Sequence, residues 1–131
     1  MFDKLTAFRP QLLSILRIVA ALLFLEHGTQ KILGFPPMTM QMPPNVLPII
    51  MAAGVIELVG GALLLLGLFT RVAAFICAGE MAAAYWLGHF ARGGWSPAVN
   101  GGDAAILFCF VFLFIAAAGP GSWALSRSER L

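Results

Sequence analysis

Four long apolar stretches, each closed by proline or glycine, set the pattern of this chain. They cover roughly residues 11–34, 46–68, 71–91 and 103–119. The first starts after Pro10 and stops at Gly34-Phe35-Pro36-Pro37. The second runs from Pro43-Pro44 to Gly67-Leu68. The third lies between Thr70-Arg71 and Arg92-Gly93-Gly94, the fourth between Asn100-Gly101-Gly102 and Gly119-Pro120-Gly121. Proline and glycine at such borders stop helices, and each stretch approaches the roughly 20 residues that cross a hydrocarbon core. The second and fourth are apolar on every side, as helices are where lipid replaces water. The pattern predicts an all-α fold, a four-helix transmembrane bundle, as a single domain over residues 1–131.

Each stretch carries an acid inside it or at its mouth: Glu26, Glu57, Glu80 and Asp103. An ionised carboxylate at the bilayer centre costs about 2.5–3.5 kcal/mol on insertion scales, so such groups turn toward a partner or a wet cavity. Counting helical rise puts Glu57 and Glu80 near mid-membrane and Glu26, His27, Gln30 and Lys31 in the outer half of the first span. His89 falls at the outer end of the third and Asp103 at the outer start of the fourth. These eight residues predict a polar column opening outward. Glu57 and Glu80 would handle protons, one holding a proton for the other, and the remaining six would contact a ligand such as a quinone headgroup or small anion. Lys31 is placed to pair with a carboxylate on a neighbouring helix. Gly54, Glu57 and Gly61 share one face, whose small residues let another backbone approach. Plainer readings stand beside these: helix-to-helix glue for the glutamates, an N-cap for Asp103, an interfacial histidine for His89, and snorkelling for Lys31. Arg17 and Arg71, near the inner boundary, are also expected to snorkel.

Composition agrees with the pattern. The chain is 60% hydrophobic and 11% charged, with a mean hydropathy of +0.92; soluble domains are about a quarter charged. A net charge of +2 argues against nucleic acid as a partner. With the N-terminus inside, Lys4, Arg9, Arg17, Arg71, Arg127 and Arg130 lie at the inner face and only Lys31 and Arg92 at the outer. That asymmetry predicts a multi-pass protein of the bacterial inner membrane with both termini cytoplasmic. Lys4 and Arg9 before an apolar stretch resemble a signal peptide, but Arg17, Glu26 and the lack of a small-residue cleavage site predict a retained helix. Cys77 and Cys109 differ in height by more than about 10 Å and predict two free thiols. Arg17 precedes Glu26 by the same interval as Arg71 precedes Glu80, which hints at a duplicated helix pair.

Other chemistries fit less well. His27 and His89 lie at similar depth, as bis-histidine haem requires, but a lysine and several acids crowd them. Di-iron bundles use Glu-x-x-His, whereas Glu26 and His27 are adjacent. Met38, Met40 and Met42 are soft enough for Cu(I) but read more simply as cover for the bundle. No metal site is predicted.

Several segments in order resemble the DoxX family of small four-helix membrane proteins. They are Arg17 through Leu25 leading to Glu26-His27-Gly28 and Lys31, Gly54-Val-Ile-Glu57-Leu-Val-Gly60-Gly61, and Gly67-Leu-Phe-Thr70-Arg71. Gly79-Glu80-Met81, the stretch from Tyr85 to His89, Asn100-Gly101-Gly102-Asp103 and Gly119-Pro120-Gly121 complete the match. The family often has Glu where this chain has Asp103. The resemblance implies the fold and the membrane. It also implies a membrane or quinone-facing component of an oxidoreductase complex, since the family takes its name from a subunit of a thiosulfate:quinone oxidoreductase. The expected cofactors are none of its own, with quinone as the candidate ligand. The expected partners are the lipid bilayer, a soluble or membrane redox protein, and further copies of the chain. The alternatives are a non-enzymatic membrane chaperone or assembly factor, as among fold relatives, and a proton-coupled carrier.

Overall fold

The computed structural model describes residues 1–129, so the expectation for Arg130 lies outside the described residues. Among them the fold is entirely helical. A short α1 (Phe2–Ala7) leads into α2 (Arg9–Leu33). After a loop and a single 3₁₀ turn at Pro44–Val46 comes α3 (Leu47–Leu66), then α4 (Thr70–Ala84). A π-helical segment, Tyr85–Phe90, continues α4 into α5 (Ala91–Gly93). Then come α6 (Pro97–Asn100) and α7 (Asp103–Ala118).

Helix α2 starts before the expected span because Pro10 sits in its first turn, where a missing N–H costs nothing. It ends at Gly34 with φ +68°, a conformation that glycine adopts without strain. Two small elements, α1 and α6, escaped the hydrophobic pattern because each is under two turns long.

Helices α2 and α3 run antiparallel in close contact, and glycines set their separation. A Cβ on Gly28 would lie 2.8 Å from the backbone N of Leu58, and one on Gly54 2.9 Å from Lys31 Cβ. One on Gly61 would lie 3.1 Å from Leu25 Cγ. The shared face of Gly54, Glu57 and Gly61 therefore receives α2. Helices α4 and α7 form a second such pair, and α3 against α4 joins the two. Phe24 of α2 meets α7 edge-on at Phe112, with ring centroids 4.8 Å apart.

Arg17 does not snorkel; it is completely buried. Its Nε donates to the Pro120 carbonyl at 2.9 Å, its Nη1 to the Leu65 carbonyl at 2.9 Å and to that of Leu64, and its Nη2 to that of Trp123. Leu64 and Leu65 end α3, where carbonyls lack partners within the helix. Arg71 repeats the device: its Nη1 donates to the Ala116 carbonyl at 3.1 Å and to that of Ala117, near the end of α7. The matched Arg–Glu intervals thus mark two helix pairs, each with an arginine from the first helix capping the second.

Residues 119–129 fold back over this end. Ser14 Oγ accepts the Trp123 N–H at 3.0 Å. Leu125 and Ser126 donate to the Leu66 and Gly67 carbonyls at 3.0 and 3.1 Å. Glu129 Oε2 accepts the Thr70 N–H at 3.2 Å, at the start of α4.

The outside is apolar. Val55, Val59, Phe75, Ile76, Leu107, Phe110 and Phe114 are all exposed. Two helices, Arg9–Leu33 and Pro44–Leu66, are long and apolar enough to cross a membrane, and only 33% and 28% of their most apolar windows are buried. A core helix of a water-soluble fold would be mostly covered; these offer apolar sides outward, as a lipid-solvated helix does. Asp103–Ala118 is apolar but shorter.

Candidate functional site

Register brings the two central glutamates level. In antiparallel helices, facing residues have numbers of constant sum. Gly60 of α3 faces Cys77 of α4 so closely that a Cβ on it would overlap Cys77 Sγ. One turn back from Gly60 lies Glu57; one turn on from Cys77 lies Glu80. Both carboxylates therefore sit at one height across the α3–α4 contact, near enough to act on each other electrostatically.

The third member comes from α2. Lys31 Nζ donates to both oxygens of Glu57, at 2.6 Å to Oε1 and 2.8 Å to Oε2. Glu57 is completely buried and the lysine side chain 17% exposed, so the pair is short, two-pronged and largely dry. It is the only salt bridge among the described residues. Lys31 is thus neither free nor merely snorkelling. Glu80 is less settled: its Oε2 is buried without a hydrogen-bond partner, which in a native fold marks a place for a proton, a water or a ligand. The site is accordingly a buried ion pair beside an unengaged carboxylate.

The other expected residues occupy two further places. His27, exposed, bonds the Leu23 carbonyl through Nδ1 at 2.9 Å, and its ring stands edge-on to Phe108 at 5.9 Å. It is near enough to Glu57 to interact electrostatically. Glu26 is exposed on α2. Gln30 donates to the Pro37 carbonyl at 3.3 Å and holds the loop after α2. His89 donates through Nδ1 to the Asn100 carbonyl at 3.0 Å, an anchor for the α6 turn. Asp103 is not an N-cap: Gly102 holds the cap position and Asp103, exposed, is the first helical residue. An acid there suits the helix dipole.

Asn100 was missed as an organiser. Its Nδ2 donates to the Gly94 carbonyl at 2.8 Å and to Tyr85 Oη at 3.3 Å, while its Oδ1 accepts the Gly102 N–H at 2.8 Å. One side chain thus gathers the loop from Gly94 to Gly102 against Tyr85. The only signal for it in the chain was an Asn before Gly-Gly, a common turn. Cys77 and Cys109 are free, and Cys77 is buried beside the glutamates. No group of three or more His, Cys, Asp or Glu side chains that could hold a metal ion occurs among the described residues.

The site is thus a largely buried Lys–Glu pair and a second glutamate in an apolar, all-helical chain, and similarity to known proteins decides the family. The DoxX family model matches residues 12–90. The chain belongs to the DoxX family. This DoxX protein is also 47% identical, over 128 residues, to a Haemophilus influenzae protein described as uncharacterized, covering 95% of this chain and 96% of that one. No solved structure matches it. The matched stretch of the family model contains Lys31, Glu57 and Glu80 but ends before Asn100 and Asp103. Family and apolar helices together make it a membrane protein.

Proposed function

We propose that this DoxX protein is a multi-pass protein of the bacterial inner membrane, a four-helix bundle with both termini cytoplasmic. It serves as the membrane-embedded, quinone-facing component of an oxidoreductase complex. The spans are α2, α3, the continuous segment from α4 through α5, and α7. The observation that carries the reading is the unpartnered Glu80 oxygen beside the Lys31–Glu57 pair. Burying Glu57 and largely covering Lys31 and Glu80 costs stability that apolar residues would not, and intramembrane ionisable groups mark proton relays and ligand sites.

In this reading Lys31 holds Glu57 in place, and Glu80 exchanges a hydrogen bond or proton with a carbonyl or hydroxyl of the ring. His27, an exposed titratable group close enough to act on Glu57 electrostatically, connects the pair to the outer surface. The redox cofactor belongs to a partner protein, so this chain supplies binding, orientation and proton transfer.

The test is purification of the parent, Glu57→Gln and Glu80→Gln from native membranes in mild detergent, followed by quantitation of co-purified quinone and of quinone-linked electron transfer in the membranes. Loss of both in the folded variants supports the assignment. Quinone content and electron transfer equal to the parent's would sink it. A membrane polypeptide that co-purifies without quinone, and is lost in the variants, would favour the assembly-factor alternative. A pH-gradient-driven flux in liposomes would favour a carrier.

A further inference from the structure

Away from the glutamates, at the end that carries both termini, α2 and α7 part to form an open groove of about 490 Å³. Its walls are Leu12, Leu13 and Leu16 from α2 and Phe114 and Ala118 from α7, with Arg9 at its mouth. That volume is in the range of a small-molecule site. Arg9 is exposed and makes no hydrogen bond or salt bridge among the described residues. The lining thus combines an apolar floor with one unpaired cation at its edge.

We propose that this groove is a binding site for an anionic phospholipid, its headgroup on Arg9 and the first part of an acyl chain along Leu12, Leu13 and Leu16. Charge complementarity favours an anionic over a zwitterionic lipid: Arg9 is the one charged side chain in the lining, and among the described residues it pairs with no acid. Length argues against a helix as the occupant. The lined stretch of α2, Arg9 to Leu16, rises about 10 Å, a third of the roughly 30 Å that a crossing helix needs to follow. A chain entering from the headgroup level needs only that much. The inference rests on the chain being embedded in lipid, not on quinone or on Glu57 and Glu80, so the two readings fail separately.

Delipidated protein would be given equal amounts of phosphatidylglycerol and phosphatidylethanolamine, and the bound lipid read by native mass spectrometry. The parent is expected to retain phosphatidylglycerol in preference by about fivefold, the scale of one cation facing an anionic lipid. Arg9→Gln should lose that preference at unchanged helicity. Leu12→Trp, at an exposed position that fills the groove from outside, should reduce retention of both lipids while leaving Arg9 in place. Glu80→Gln should bind lipid as the parent does. Equal retention of the two lipids by the parent, or an undiminished preference in Arg9→Gln, would overturn the proposal. So would a photocrosslinker at position 12 that captures a polypeptide instead of lipid.

Discussion

Lys31 Nζ bridges both carboxylate oxygens of Glu57, at 2.6 and 2.8 Å, from one helix to the next. The contact spans 26 residues of chain and lies one turn from Gly28, where a Cβ would meet the α3 backbone. It ties the first helix pair together in register and, among the described residues, supplies the only cation bonded to the central acids.

Breaking that pair from one side should be costly, because the remaining charge is left buried and unpaired. Lys31→Met or Glu57→Leu alone is expected to lower stability by about 3–5 kcal/mol, whereas the double replacement recovers most of it. Chemical unfolding of the three variants in one detergent reads the cycle directly.

Glu80→Gln should behave differently. Its Oε2 has no partner to lose, so the change breaks no hydrogen bond and is expected to alter stability by less than about 1 kcal/mol. Stability held with quinone-linked activity lost would separate a working carboxylate from a structural one. A drop as large as that of Glu57→Leu would mean that Glu80 is glue.

Arg17→Lys is expected to be nearly as harmful as Arg17→Ala. The guanidinium serves carbonyls of Leu64, Leu65, Pro120 and Trp123 at once, and an ammonium cannot reproduce that fork. With charged hydrogen bonds worth about 1.5–3 kcal/mol each, either variant should fail to accumulate in membranes. Arg71, which among the described residues bonds the carbonyls of Ala116 and Ala117 alone, should tolerate Lys better. Quantitative blotting of membrane fractions compares them.

Two glycines should respond in opposite directions to alanine. At Gly28 the new Cβ meets the α3 backbone at 2.8 Å, forcing the helices apart at a cost of about 1–3 kcal/mol. At Gly79 it meets nothing within 4 Å, and the better helix propensity of alanine is worth up to about 1 kcal/mol. Thermal unfolding of both variants in one micelle is the check.

What could be read from the chain alone follows from range. The apolar stretches and their Pro and Gly borders are local signals, and the helices lie close to where those signals put them. Glu57 and Glu80 were legible as a pair because a carboxylate in apolar sequence calls for a neighbour whatever the topology. Lys31 was recognisable as a candidate partner, but not its acceptor, since four acids were available. Arg17 was misread. Its distance from the helix start suited snorkelling, whereas its acceptors are backbone carbonyls 47 or more residues away, and carbonyls leave no trace in a residue pattern. Asn100 escaped for the same reason: two of its side chain's three partners are backbone groups supplied by a loop that exists only after folding.

The turned-back tail and the two arginines lace one end of the molecule through carbonyls from several elements, while the far end is gathered mainly by Asn100. Local opening follows the least-tied region, so breathing should concentrate around Gly94 to Gly102 with the laced end as its pivot. A visitor seeking Glu80 would then arrive from the side away from both termini, and a tag or fusion that pulls on residues 119–129 would loosen the pivot rather than widen the door.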